Sequence, residues 1–322
     1  MTSFRKPTPA FRLTLLLVVA ASLTLQMHGQ PNARLHAATA EERPEVKNVF
    51  WQPDEVMQGS PVLITVELSG PGREVTGTWL GKRIRFAPSD KPRQWVALAG
   101  ADMDQAPGSF ELKVKETIRG RMAQLAKPIE VKEAQFGTGE VKVAQDYVNP
   151  TPDEQRQIAH DDALKEHVFA SLIPRQLWNG NFVKPVEAES TPSFGESRLM
   201  NEEKTSRHLG TDFPTKEGTP VYASNAGVVA LAAPLFYEGN CVIVDHGDGL
   251  FTVYMHLEKM MVRRGERVRK QGQIGLSGRT GRVTGPHLHF EVVWNKSHLD
   301  PVQLLALTLP DRTLRGASRS AR

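Results

Sequence analysis

Two short runs late in the chain alternate in polarity with a period of two, and this constrains the fold more than any other feature. After the turn dipeptide Gly285-Pro286, the apolar residues Leu288, Phe290 and Val292 interleave with His287, His289 and Glu291. Upstream, Phe251, Val253 and Met255 interleave with Thr252, Tyr254 and His256. Side chains on a strand point alternately to its two faces, whereas a helix needs apolar residues three and four apart. From about Phe182 to Leu305 glycine is frequent and no long helical pattern occurs. Residues 182–305 are therefore expected to form an antiparallel β domain made of hairpins.

The chain has 322 residues, enough for about two domains. Residues 46–133 also look all-β. Val62–Val66, Gln94–Leu98 and Phe110–Val114 are short β-rich runs separated by turn formers such as Gly70-Pro71-Gly72 and Pro107-Gly108-Ser109. This predicts a small sandwich of the immunoglobulin-like type, serving as a binding module, a spacer or a cover for the second domain. Between the two, residues 152–175 predict a connecting helix. Pro152, Asp153 and Glu154 suit a helix start, Ile158, Leu164, Val168, Phe169 and Leu172 recur at helical spacing, and Pro174 ends the pattern. The fold class is thus mainly β.

Residues 1–40 read as an export signal. Arg5, Lys6 and Arg12 precede the apolar run Leu13–Leu25, and Ala38-Thr39-Ala40 offers a cleavage site. The apolar run is short for a membrane-spanning helix of about 20 residues. No stable membrane insertion is expected once the signal is removed, and an uncleaved anchor is the alternative. The net charge of +4 is accounted for by four basic residues in this segment, Arg5, Lys6, Arg12 and Arg34, with no acidic residue among them. The remainder is balanced, so nucleic-acid binding is not inferred. The basic tail within 306–322 reads as a frayed end. Cys241 is the only cysteine, which excludes an intrachain disulfide scaffold, and its apolar surroundings suggest burial.

Of ten histidines, His28 and His36 fall in the leader, and His160 and His167 read as surface residues of the connecting helix. His287 and His289 lie two apart on a strand and project to one face. A metal held by neutral imidazoles would relieve their mutual repulsion, while an exposed pair on an edge strand is the bland alternative. His208 and Asp212 lie four apart around Gly210. Together with one imidazole of the His-x-His strand they would make three protein ligands and leave one position open, as at a catalytic zinc rather than a closed structural one. His256 is expected to end its strand on the polar side, where it could meet His287. His246, in Asp245-His246-Gly247-Asp248-Gly249, reads as structural, and His298 as incidental. Gly275, Gly278 and Gly281 read as turns, not as a phosphate loop, because no Gly-Lys-Ser/Thr accompanies them. Neither a Gly-x-Ser-x-Gly elbow nor a His-Glu-x-x-His helix is present.

Several of these motifs, in order, resemble the M23 zinc metallopeptidases, the lysostaphin-like group that cuts peptidoglycan peptides. The resemblance covers roughly residues 182–305. It is carried by Phe194-Gly195, His208-x-x-x-Asp212, Gly218-Thr219-Pro220-Val221, Asp245-His246-Gly247, Tyr254-Met255-His256-Leu257 and Gly285-Pro286-His287-Leu288-His289-Phe290. It implies antiparallel sheets with a groove over the metal, one Zn2+ ion held by His208, Asp212 and His289, and two catalytic histidines, His256 and His287. It leaves open which of these two is the base. The implied function is an exported zinc-dependent endopeptidase, periplasmic or extracellular, acting on peptidoglycan stem peptides or cross-links. The alternatives are a non-catalytic wall-binding or activator protein of the same fold, a structural zinc protein, and an endopeptidase acting on proteins. Nothing in the sequence sets the oligomeric state. The 46–133 domain is a candidate for restricting the groove.

Overall fold

The computed structural model describes residues 45–118 and 121–311. The leader 1–40 and residues 312–322 of the expected tail lie outside the described residues.

Residues 46–132 form two facing sheets. One has the spatial order Val46–Gln52, Pro61–Leu68, Gln94–Gly100, Ala87–Pro88. The other runs Val56–Met57, Arg121–Lys132, Gly108–Ile118, Glu74–Trp79, Lys82–Arg85. Between them lie Val62, Ile64, Val66, Trp79, Val96, Leu112, Val114 and Ile129, each under 3 % exposed. The three expected runs sit inside longer strands, and the two-layer sandwich is present. The narrower immunoglobulin type does not follow from this strand order.

The connecting helix spans Pro152–Ala170. A capping box starts it: the Glu154 N–H donates to the Thr151 hydroxyl while the Glu154 carboxylate accepts from the Thr151 N–H. It ends earlier than the expected residue 175. Ser171 is already extended, its hydroxyl bonding back to the Val168 carbonyl. The chain thus leaves the helix before Pro174, which disfavours helical conformation in the residue preceding it. Val168 is buried, and Phe169 lies edge-on to Phe251 at 5.4 Å, so the helix docks on one face of the following sheet. Leu172, expected on the buried stripe, is 53 % exposed beyond the helix end.

That sheet carries the second domain. Its main path is Thr211–Pro214, His287–Trp294, Leu250–Met260, Gly239–Asp245, Gly227–Leu235, Arg267–Val268. Gln273–Ser277 pairs with both Leu250–Met260 and Pro220–Tyr222. Every pairing here is antiparallel, as expected of a domain built of hairpins. One face (Tyr254, Leu288, Phe290, Val292) joins a core continuous with that of the sandwich. The other (Phe251, Val253, Met255, Val293) meets the connecting helix. Gly275 lies within a strand rather than in a turn, while Gly281 has the positive φ of a turn glycine.

The sandwich is fastened to this domain around residues 298–303. The Asp300 and His298 N–H groups donate to the Gly59 carbonyl (2.8 Å) and the Asp102 carboxylate (2.9 Å), and Ser60 Oγ bonds Gln303. The bond to Asp102 uses the His298 backbone, which any residue but proline would supply, and does not bear on the side chain read from sequence as incidental. The His298 Nδ1 lies 3.7 Å from Glu291. Among the described residues, no helix is long and apolar enough to cross a membrane.

Candidate active site

Cross-strand register brings the first two groups together. In the pairing of Thr211–Pro214 with His287–Trp294, Asp212 stands directly opposite His289. The Asp212 Oδ1 to His289 Nδ1 distance is 2.9 Å. His208 arrives from the preceding segment, with its Nε2 2.9 Å from His289 Nδ1 and 3.1 Å from Asp212 Oδ1. Gly210 permits this approach: a Cβ there would come within 2.3 Å of the Phe290 carbonyl oxygen and 2.9 Å of His289 Nε2. The sequence's Gly between the two polar residues is thus a close-packing requirement.

Each of the three is held from behind. His208 Nδ1 donates to the Ser193 carbonyl (2.8 Å), leaving Nε2 as a bare lone pair. His289 Nε2 bonds Glu291 at 3.0 Å. Arg198 holds the second oxygen of Asp212 at 3.1 Å and also pairs with Glu196. Ser193, Arg198 and Glu291 do not stand out in the sequence as site residues. Glu291 carries a usable signal, since it lies two residues from His289 and so on the same face. Ser193 directly precedes the Phe194-Gly195 motif, and Arg198 comes from a segment with no motif.

The electrostatics reflect these partners. Burial would raise the Asp212 carboxyl, but hydrogen bonds with His208 and His289 outweigh it and hold it well below the usual carboxylate range. Burial opposes charge on His289, yet its hydrogen bonds to Asp212 and Glu291 prevail and raise it to about 9. His208 goes the other way, lowered chiefly by burial. The site therefore demands positive charge. One proton on His289 Nδ1 can face only part of the triangle, whereas a cation is met by His208 Nε2, Asp212 Oδ1 and His289 Nδ1 together. Their 2.9–3.1 Å separations are near the edge of about 3.3 Å that tetrahedral zinc with bonds of about 2.0–2.1 Å requires. Two nitrogens and a carboxylate oxygen suit such an ion. These three residues fit a metal.

His256 and His287 flank the triangle, their rings 4.9 Å apart. His256 Nδ1 donates to the Thr280 carbonyl (2.9 Å) and His287 Nδ1 to the Gly285 carbonyl (2.8 Å), and neither Nε2 makes a hydrogen bond among the described residues. His287 Nε2 lies 3.5 Å from Asp212 Oδ1. Burial, followed by the neighbouring His289 and His287, lowers His256 to about 3, so it is neutral near pH 7.

His256 reaches this place by a route that differs from the expected one. The Leu250–Met260 strand does not end at His256. Asn240 pairs with Leu257 but Val242 with Tyr254, so the strand carries an extra residue here, and His256 has a φ of 62°. Such a bulge turns the residues after it to the opposite face. Strict alternation would have set His256 beside Tyr254. The bulge instead puts it on the face of Met255 and His289.

His246 belongs to the opposite face. Its Nδ1 donates to the Ala226 carbonyl (2.8 Å), its Nε2 lies 2.7 Å from the Thr252 hydroxyl, and that hydroxyl is 3.0 Å from the Tyr254 oxygen. Burial lowers it to about 4. His160 and His167 are exposed. Cys241 is fully buried, and burial pushes its thiol well up.

The triangle opens into a cleft of about 740 Å³. Its walls include Gly139, Glu140, Val141 and Val143, which precede the connecting helix, and the 282–286 loop. Thr138–Val141 adds as a parallel strand beside Ser197–Met200. Among the described residues, none from 46–133 lines the cleft.

Residues 206–301 match the description of Peptidase family M23. Over 86 residues the chain is 51 % identical to the peptidoglycan DD-endopeptidase ShyA of Vibrio cholerae, covering 27 % of this chain and 20 % of that protein. Over 106 residues it is 41 % identical to the DD-carboxypeptidase/endopeptidase Mpg of Neisseria meningitidis, covering 33 % and 24 %. The matched stretches thus span about a fifth to a quarter of these curated relatives. A crystal structure of a candidate M23 peptidase from Pseudomonas aeruginosa superposes with a TM-score of 0.61 at 25 % identity, covering 78 % of this chain and 95 % of that one. The chain carries a peptidase family M23 domain.

Proposed function

We propose that this protein is an exported, zinc-dependent endopeptidase that hydrolyses peptide bonds in peptidoglycan stem peptides or cross-links. The observation that carries the reading is the convergence of His208 Nε2, Asp212 Oδ1 and His289 Nδ1 beside two histidines whose Nε2 atoms make no hydrogen bond among the described residues. The matched wall endopeptidases support the substrate class. The leader-like residues 1–40 support export, since that substrate lies outside the cytoplasm.

His208, Asp212 and His289 would hold the ion. Bound there, zinc supplies Lewis acidity, polarising a carbonyl and lowering the pKa of a water to about 7. His256 and His287, with Nε2 toward the cleft, divide two tasks: taking a proton from the attacking water, and hydrogen-bonding the developing oxyanion or protonating the leaving amine. The Thr280 and Gly285 carbonyls fix their tautomers, so neither ring has to turn before it acts. Arg198 and Glu291 hold Asp212 and His289 in place.

The test is digestion of intact sacculi by the zinc-loaded protein, with the new amine and carboxyl ends identified by mass spectrometry. Release of muropeptides that stops with chelator and returns with zinc is expected. Release indifferent to chelator, or full zinc binding with no release, would overturn the proposal.

A further inference from the structure

Apart from the exposed Glu140, the charged side chains lining the cleft are nearly all answered among the described residues. Lys165 pairs with Glu238, Arg198 with Glu196 and Asp212, Glu291 with His289, and Arg207 lies over the Phe136 ring and 3.8 Å from Asp104. Arg282 is different. Its guanidinium carbon sits 4.4 Å from the centre of the Tyr237 ring, but its guanidinium nitrogens make no hydrogen bond or ion pair among the described residues. Glu238, the carboxylate whose charge acts on it, is already occupied by Lys165.

Arg282 is half-buried, and burial lowers its pKa against the pull of Tyr237 and Glu238. Guanidinium remains charged near neutral pH whatever its surroundings. A partly desolvated cation resting on an aromatic face, with planar donors uncommitted, is a receptor for a carboxylate, which guanidinium meets in bidentate geometry.

Its location ties it to the reacting groups. The 278–286 loop supplies both carbonyls that fix the histidine pair, Thr280 to His256 and Gly285 to His287. Arg282 lies between those two residues, and its own N–H donates to the Tyr237 carbonyl at 2.8 Å. The loop that sets the two imidazoles therefore also sets Arg282 at the cleft wall.

We infer that Arg282, backed by Tyr237, is a carboxylate-recognition residue, and that the preferred substrate bears a free carboxylate on a residue flanking the scissile bond. This rests on the peptidase reading and narrows its substrate class to anionic peptides.

The experiment uses two synthetic cross-linked peptides that differ only in one group beside the scissile bond, a carboxylate or the corresponding carboxamide. The zinc-loaded full chain should favour the carboxylate form by about tenfold or more in kcat/KM, the scale of a charge-assisted hydrogen bond. Arg282→Gln should bring that ratio close to one, and Arg282→Lys should keep part of it, as a point charge without the fork. Bound zinc is measured alongside to show that the variants retain the metal. No preference in the wild type overturns the inference. So does an Arg282→Gln variant that slows both peptides by the same factor, the mark of a residue that only braces the loop. If the wild type cleaves neither peptide, the peptidase reading fails, and calorimetric titration of both peptides decides the subsite separately. Tighter binding of the carboxylate form that vanishes in Arg282→Gln upholds it, and equal or absent binding overturns it.

Discussion

His246 and His289 are both buried, both lie in or beside the same sheet, and carry opposite charge preferences. His246 sees a carbonyl and a hydroxyl, and burial drives it down to about 4. His289 sees two carboxylates, and their hydrogen bonds drive it up to about 9 despite burial. The difference shows that burial alone makes a histidine an uncharged structural strut. Burial between carboxylates makes a place that requires a cation. The two surroundings lie on opposite faces of one sheet.

The largest effect should come from removing the cation's holders. Asp212→Ala or His289→Ala should abolish bound zinc by elemental analysis and bring sacculus digestion to background. An Asp212→Ala protein with full zinc would put His289 in the same class as His246. Next, His256→Ala and His287→Ala should each lower kcat by about 100- to 10,000-fold while zinc content stays at wild-type level. Loss of zinc in either would move that histidine into the ligand group.

Glu291→Gln tests the carboxylate behind His289 directly. Competition with a chromogenic chelator should show zinc affinity weaker by about 10- to 100-fold. On the other face, His246→Ala should leave zinc unchanged and cost about 1–3 kcal/mol in urea unfolding, because the Ala226 carbonyl and Thr252 hydroxyl lose a partner. That cost should shrink with acid. The folded His246 pKa lies below its unfolded value, so the unfolded chain binds the extra proton. Wild-type stability from this group is full above about pH 6.5 and falls toward about pH 4. Urea titrations of both proteins near pH 7.5 and pH 5 check the sign. Smallest of all, His160→Ala and His167→Ala on the exposed side of the connecting helix should stay within about 0.5 kcal/mol and not alter zinc.

Much of this is legible in the chain. The alternation of residues 287–292 by itself places His287, His289 and Glu291 on one face, and the structure keeps them there. The spacing of His208 and Asp212 around Gly210 is likewise readable, because a glycine between two polar residues signals close backbone approach. The helix start is legible in Pro152–Glu154, but its end falls five residues before the expected one. Helical spacing continues past Ala170, yet the backbone is already extended ahead of Pro174. Glu291 is less conspicuous than the histidines, although its offset from His289 carries the information. Gly139, Glu140 and Val141 give no signal, since their place at the cleft depends on a parallel pairing with a strand more than fifty residues away.

Local pattern therefore determined what periodicity and backbone sterics can encode: the hairpin-built β domain, the face shared by the His-x-His pair, and the capped helix. Tertiary structure decided where His256 points. Period two assigned it to the side of Tyr254, and one additional residue in the strand, visible only against its neighbour's register, turned it toward the metal-fitting triangle. It also decided which buried histidine carries charge. A pKa depends on what lies within about 4–6 Å in space, and those neighbours come from segments far apart in the chain.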